Sequence, residues 1–552
     1  MSSTSGTSSM VTRWVAVCVS AGLLELPFPI AGPLPPWRSV FAWFALVPLL
    51  WAVLAGDSKS ERHPLKNAFL LAYVCGVLWY IGNCYWICDT MLIHGGLPPV
   101  VSALILLLFS LVLGLYFGLF GLGLALVRRA TGSVRWALAF APFLWVALEL
   151  AGARITSVPW DQLGYSQVDN GILNGLPQWT GAYGVSFLVV LINAEILRRF
   201  MLPSLRRRFV GFLWISPFVL LFALGFLAWR PKMPPTSATA VLIQPNLDVE
   251  HTGYWSGPGE YERHIANFIK LGGERCGPYV AGMPQTGAAT VDESCYKNPP
   301  PGLIVWPESP APFFEQDPRF KSAMAEVAQA DQAPIIAVAV GSDFSVAEHD
   351  WLDHVSAIAF NAAGSEVGRY DKIHLVPWGE YVPYPQVFFF AKKLTGKVAS
   401  YTPGSVRNVF LLQSADGESH RYGVFICYES VFADEVRSFA LNGAEVFVNV
   451  SDDGWYGDTS APWQHLNMVR MRAIEYRRWI LRATNDGVTA AIDPYGRVRQ
   501  SIPRHQVSAL AAQYGFRSDV TFYTEHGDVF AWVCALLSLA VVGWAGRGRP
   551  RR

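Results

Sequence analysis

Eight apolar runs, each close to the length a helix needs to cross a bilayer, constrain this chain more than any other feature. They fall at 14–31, 40–55, 68–91, 100–127, 136–151, 179–197, 209–229 and 529–545. The hydrocarbon core of a bilayer offers no partner for a backbone amide, so a segment of about 20 apolar residues crosses it as a helix. Composition points the same way: 52% of the 552 residues are hydrophobic, 14% aromatic and 15% charged, too little charge to coat a soluble surface of that size. A formal net charge of +1 gives no field to attract nucleic acid. The first run lacks a small-residue cleavage pattern, so it reads as a retained span and not as a signal peptide.

Seven runs precede residue 231 and one follows residue 524, which predicts three parts. These are a seven-span membrane domain at 1–230, a large domain at 231–524, and an eighth span with a basic tail at 525–552. Basic residues in short loops stay in the cytoplasm. Lys59, Arg62 and Lys66 follow the second run, Arg128, Arg129 and Arg135 the fourth, and Arg198, Arg199, Arg206, Arg207 and Arg208 the sixth. Arg547, Arg549, Arg551 and Arg552 end the chain, whereas the alternate short loops hold Arg38 and Arg154 alone. This bias predicts cytoplasmic termini and an extracytoplasmic large domain.

Within 231–524, short β-rich runs recur at 240–243, 303–306, 335–340, 356–360, 422–427, 446–450, 480–483 and 489–492, with helical patterns at 319–330, 430–442 and 462–477. Continuous apolar strands alternating with helices predict buried sheets covered by helices, an α/β or layered α-β-β-α domain. The eight cysteines show no CxxC spacing of a zinc site. Cys18, Cys75, Cys84, Cys88 and Cys534 sit in apolar runs and read as small core residues. Cys276 and Cys295 flank a Gly/Pro/Thr-rich insert, where a disulfide and two free thiols are both open.

Three apolar runs each end in a reactive side chain. Glu308 closes Val305-Trp306-Pro307-Glu308, Lys372 sits in Tyr370-Asp371-Lys372-Ile373-His374, and Cys427 ends Phe425-Ile426-Cys427 before Tyr428 and Glu429. Any one alone reads as a loop acid, a surface lysine or a packing thiol. Together they make a set for acyl transfer: a thiol to attack a carbonyl, a carboxylate to move its proton and an ammonium to meet the oxyanion. The set calls for no metal and no cofactor. Lys372 is expected to lower the thiol's pKa by charge proximity.

These three words resemble the carbon-nitrogen hydrolase (nitrilase) superfamily, whose members carry a Glu-Lys-Cys triad on an α-β-β-α sandwich. The longer words His374-Leu-Val-Pro-Trp-Gly-Glu380-Tyr-Val-Pro383, Ile426-Cys-Tyr-Glu429 and Asp453-Gly-Trp455-Tyr-Gly457-Asp458, with spans before and after, resemble its apolipoprotein N-acyltransferase family. The resemblance implies that Glu308 is the general base, Lys372 the oxyanion stabiliser and Cys427 the nucleophile. It implies supporting roles for Glu380, Tyr428, Glu429 and Asn361, the Tyr428 backbone N–H completing an oxyanion hole. The family pattern Thr-Asn-Asp-Ala-Trp-Phe-Gly is replaced here by Ser451-Asp452-Asp453-Gly454-Trp455-Tyr456-Gly457, which puts an extra carboxyl at Asp452.

The resemblance further implies a monomer in the cell's inner membrane, with its catalytic domain on the periplasmic side. It would take an acyl chain from a phospholipid through a Cys427 thioester to the α-amine of a diacylated apolipoprotein. Phe388, Phe389 and Phe390, followed by Lys392 and Lys393, read as an interfacial anchor or lid, or as a core helix end, and Trp455 and Tyr456 read as similar lipid contacts. His374 and His465 are expected to hydrogen-bond locally. Two other readings stay open: a membrane-tethered amidase or nitrilase acting on a small amide, and a transporter or receptor with an inactive nitrilase-like sensor domain. The second would want paired charges in mid-membrane, where Glu25 and Glu149 are the obvious acids.

Overall fold

The computed structural model describes residues 9–56, 61–201, 234–249, 259–274, 277–284, 290, 301–311, 313–347, 349–382 and 400–547. The seventh apolar run, Cys276, Cys295 and the phenylalanine-rich stretch with Phe388, Phe389 and Phe390 lie outside the described residues. The chain divides into two compact units, one of residues 1–88, 99–231 and 526–552, the other of residues 89–98 and 232–525.

The first unit is helical. Its elements are α1 (Met10–Glu25), a 3-10 helix (Pro36–Trp43) leading into α2 (Val47–Leu54), α3 (Pro64–Asn83), the start of α4 (Trp86–Ile93), whose residues from 89 onward belong to the second unit, α5 (Pro99–Thr131), α6 (Val134–Ile155), α7 (Pro177–Thr180) and α8 (Ala182–Met201). Among the described residues five helical segments are long and apolar enough to cross a membrane: Pro36–Leu54, α3, α5, α6 and the C-terminal helix Val529–Arg547. The first and sixth runs fold as helices that fall outside that set. α1 has 16 residues, and α8 carries Glu195, Arg198 and Arg199 toward its C-terminal end.

The second run is a helix interrupted between Trp43 and Val47, which frees backbone groups that hydrocarbon cannot satisfy. Buried Asn193 of α8 answers this, accepting from Leu46 N–H (2.9 Å) and donating to Ala42 C=O (2.8 Å). Ser20 of α1 adds a bond to Ala45 C=O (2.5 Å). α3 and α5 approach closely because Gly114, Gly118 and Gly121 present a face without side chains. A Cβ at these positions would collide with Val77, Phe69 and the Ala68 carbonyl. Cys75, Cys84 and Cys534 are buried as expected of small packing residues, Cys88 is half-buried, and Cys18 is exposed on α1.

The second unit holds two sheets. Its strands are β1 (Ala238–Gln244), β2 (Val280–Ala281), β3 (Leu303–Trp306), β4 (Ile335–Ser345), β5 (Asp350–Phe360), β6 (Glu366–Asp371), β7 (Val409–Gln413), β8 (Ser419–Ile426), β9 (Val446–Ser451), β10 (Ile480–Thr484), β11 (Thr489–Ile492), β12 (Val498–Ile502) and β13 (Ser508–Tyr514). One sheet runs β13-β1-β3-β4-β5-β6 and the other β2-β12-β11-β10-β9-β8-β7. The helices are α9 (Glu260–Gly272), α10 (Pro318–Asp331), α11 (Ala433–Leu441), α12 (Ala461–Tyr476) and α13 (Phe522–His526), and α14 (Val529–Arg547) returns to the first unit.

Alternation along the strands sets the layers. Val241, Ile243, Ile304 and Trp306 pack with Ile265, Phe268, Phe320 and Met324 of α9 and α10. Their neighbours Ala240, Leu242, Leu303 and Val305 face the other way, into a core shared with Val424, Ile426, Val446 and Val448 of the second sheet. Val436 and Phe439 of α11 and Leu466 and Val469 of α12 join that core, which completes an α-β-β-α sandwich.

Candidate active site

Strand direction decides which side chains meet. β3 and β4 are parallel, β5 is antiparallel to β4, and β6 is antiparallel to β5, so β3 and β6 end at the same edge of their sheet. Glu308 follows β3 and Lys372 follows β6. In the other sheet β8 and β9 are parallel, and Cys427 and Asp452 follow them. Side chains from the two edges converge. Lys372 Nζ donates to Glu308 Oε1 (3.1 Å) and to Glu380 Oε1 (2.6 Å), and the Asp452 backbone N–H donates to Glu308 Oε2 (3.1 Å).

Lys372 is wholly buried. Burial alone would lower its pKa, but Glu308 and Glu380 outweigh it, and the ammonium is held well above its usual value. Glu380 is fixed in turn by the Val376 N–H, which donates to its Oε2 (2.7 Å).

Cys427 begins a 3-10 turn (Cys427–Val431) at the end of β8 with φ +48°, a left-handed conformation that a side chain adopts at a cost of about 1–3 kcal/mol. The strand-to-turn elbow holds that conformation through Glu429. Its Oε2 accepts from Ile426 N–H (2.7 Å), while its Oε1 accepts from Tyr370 OH (2.7 Å), Ile373 N–H (2.6 Å) and His374 N–H (3.2 Å). Glu429 thus ties the cysteine's elbow to the segment that carries Lys372. His374 is held by Glu435 (3.1 Å) and stacks on Phe432.

The expectation that Lys372 lowers the thiol's pKa holds for the lysine's own influence but not for the net. Burial pushes Cys427 well above its ordinary value and Glu308 adds to the rise, so the lysine's charge and a Ser451 hydrogen bond are outweighed.

Beneath the cysteine lies a buried ionic network. His465 Nδ1 meets Asp453 Oδ1 (2.9 Å) and its Nε2 meets Ser430 Oγ (2.7 Å) and the Cys427 carbonyl (3.1 Å). Arg482 pairs with Asp453 Oδ2 (2.5 Å) and with Asn449. Although burial alone would raise the Asp453 carboxyl, Arg482 and His465 hold it well below the usual carboxylate range. Arg482 escaped the sequence reading because it lies inside an apolar strand. A charge between Leu481 and Ala483 was the available signal.

One expected site residue is elsewhere. Asn361 follows β5, whose opposite direction carries it to the far edge of the sheet. There its Oδ1 caps the β5–β6 turn, accepting from Ala363 and Ser365 N–H (3.0 Å each). Tyr456 is buried with its ring against His465, near Cys427 and Glu308. Trp455 is exposed, its ring edge-on to His94, and its carbonyl accepts from Thr90 Oγ1 (3.2 Å). Tyr428 stands in the 3-10 turn with its ring against Phe432. A cavity of about 310 Å³ opens beside this loop, lined by His94, Leu247, Asp248, Gly454, Gly457 and His505.

An acid and an ammonium in contact beside a thiol on a strained elbow are equipped for acyl transfer through sulfur. Comparison with known proteins bears on this chemistry. Residues 20–195 match the family described as apolipoprotein N-acyltransferase N-terminal domain, and residues 288–510 match carbon-nitrogen hydrolase. The apolipoprotein N-acyltransferase of Geobacter metallireducens is 33% identical over 542 residues, covering 97% of this chain and 95% of that protein. That of Chlorobaculum tepidum is 29% identical over 529 residues, covering 91% of each. That of Pseudomonas putida is 30% identical over 475 residues, covering 84% of this chain and 85% of its own.

Proposed function

The chain belongs to the apolipoprotein N-acyltransferase family, and from that premise we propose how its residues carry out lipoprotein N-acylation. Glu308 takes the proton of the Cys427 thiol, and the thiolate attacks the ester carbonyl of a membrane phospholipid. The oxyanion that forms is met by the Lys372 ammonium and the Tyr428 backbone N–H. Collapse breaks the ester C–O bond, and Glu308 returns its proton to the departing lysophospholipid oxygen. An acyl thioester remains on Cys427.

The α-amine of a diacylglyceryl-cysteine at the apolipoprotein N-terminus then attacks the thioester. Glu308 accepts the amine proton, the C–S bond breaks, and the thiol is regenerated as the amide forms. Glu380 acts through Lys372, whose position it fixes. A thioester suits this order of events, being reactive toward an amine and persistent where water is kept away. The observation that carries the reading is the Lys372 ammonium bound to Glu308 and Glu380 at the edge where Cys427 ends its strand.

Both substrates are lipid-anchored, which accounts for a membrane-embedded enzyme. The loop charges support an arrangement of eight spans in the inner membrane, with domain boundaries near 230 and 524, cytoplasmic termini and the catalytic domain on the periplasmic side. To test the function, purified protein is incubated with phospholipid, freed of excess lipid, and given a diacylated lipopeptide. Transfer of one acyl chain to the peptide amine with release of lysophospholipid in the first stage is expected. Acyl transfer to water alone, with no peptide product, would overturn the proposal in favour of a hydrolase.

A further inference from the structure

Two adjacent aspartates stand at the end of β9 in opposite circumstances. Asp453 is paired with Arg482 and His465, while Asp452, 1% exposed, has no cation in ion-pair range among the described residues. Asp452 Oδ1 accepts from Gly454 N–H (3.1 Å) and Asn485 Nδ2 (3.1 Å). Its Oδ2 is buried and has no hydrogen-bond partner among the described residues. Its own backbone N–H is the group that holds Glu308 Oε2.

The surrounding charges are already engaged. Lys372 serves Glu308 and Glu380, Arg482 serves Asp453, and Arg504 and His505 serve Asp486 and Asp458. An ionised Asp452 would leave one bare oxygen in a buried position, beside the carboxyl groups of Glu308 and Asp486. A carboxylic acid fits the same surroundings, with one oxygen taking two donors and the other carrying a hydroxyl. Burial pushes this carboxyl well above the carboxylate range even against the Asn485 bond, and Asp486 and Glu308 add to the rise.

We propose that Asp452 works as a neutral carboxylic acid positioning Glu308, and that its ionisation sets the alkaline limit of acyl-enzyme formation on Cys427. The second half rests on the acyltransferase reading above. The first half does not. With Asp452 neutral, the reaction's oxyanion develops opposite Lys372 with Glu308 and Glu380 as its counter-charges. With Asp452 ionised, a further negative charge stands beside Glu308 and opposes that oxyanion, so acylation slows as the proton leaves.

The substitution Asp452→Asn keeps the shape and removes the ionisation. Single-turnover acylation by phospholipid is measured from about pH 6 to about pH 10 for both proteins. The wild type is expected to rise and then fall about tenfold per pH unit on its alkaline side, and Asp452→Asn to lack that fall. Loss of the Lys372 proton at still higher pH affects both alike. Infrared difference spectra of the two proteins at neutral pH supply a readout that needs no lipid. A protonated-carboxyl carbonyl band in wild type that is absent from the variant supports the assignment, and carboxylate bands in its place overturn it. A folded Asp452→Asn enzyme that is inactive, or that shares the wild-type alkaline fall, also overturns it. A wild type that forms no thioester at any pH counts against the function, while the infrared band still decides the state of Asp452.

Discussion

At Cys427 burial and three nearby charges compete, and their balance makes a testable statement about the nucleophile. Burial, Glu308 and Asp453 raise the thiol's pKa while Lys372 lowers it, and the net is upward. A folded-state value above the unfolded one of about 8.5 means that the thiol form is favoured by folding, a contribution complete below that pH and lost as pH rises through the folded value. Alkylation of Cys427 by a neutral reagent is therefore slow at neutral pH and climbs with pH. Glu308→Gln removes one of the charges that raise the thiol, so it speeds alkylation, by about tenfold for each unit the pKa falls, while it stops acyl transfer. Alkylation kinetics followed by intact mass decide this. A Glu308→Gln protein whose thiol reacts no faster than wild type would remove Glu308 from the thiol's surroundings.

The place of a reactive residue is legible where a short word fixes both the residue and its position at a strand end. Glu308, Lys372 and Cys427 were read on that basis, and the structure brings Glu308 and Lys372 into contact. Asn361 was misplaced because a word cannot reveal that β5 runs against β4 and β6. The burial of Tyr456 was not legible because it depends on His465, which a separate element supplies.

Among elements, the elbow between β8 and the Cys427 turn depends on its tie to the end of β6. Glu429 receives four donors from these two segments and is itself wholly buried. Glu429→Gln would set an amide N–H against backbone N–H groups on one side or the other. A cost of about 3 kcal/mol and loss of acylation are expected together. Thermal unfolding paired with an acylation assay tests this, and a variant that keeps both stability and activity would contradict the tie.

The strands and covering helices of the sandwich were legible as apolar runs with helical patterns between them. The edge strands β2, β6, β7 and β13, the strand β12 beside β2 and the helix α9 were not. Half-exposed strands such as β6 carry too few apolar residues to stand out, and β2 is two residues long. In the helical unit, hydropathy located the second run but could not show its break at residues 44–46. That break is stabilised by Asn193 from a helix far along the sequence.

For the whole molecule, we propose that a carbon-nitrogen hydrolase domain works on lipid because the same chain carries helices long and apolar enough to cross a membrane. The loop charges predict a side for each surface. A cysteine at exposed Val346, in the β4–β5 hairpin, should react with a membrane-impermeant maleimide in spheroplasts, and one at exposed Arg129 only after permeabilisation. The reverse pattern would invert the proposed topology. The most direct test of the central claim is the mass of the protein itself after incubation with phospholipid. Wild type should gain one acyl chain in a hydroxylamine-labile bond mapped to Cys427, and Cys427→Ala should gain none. An acyl adduct of the same mass on Cys427→Ala would contradict the account.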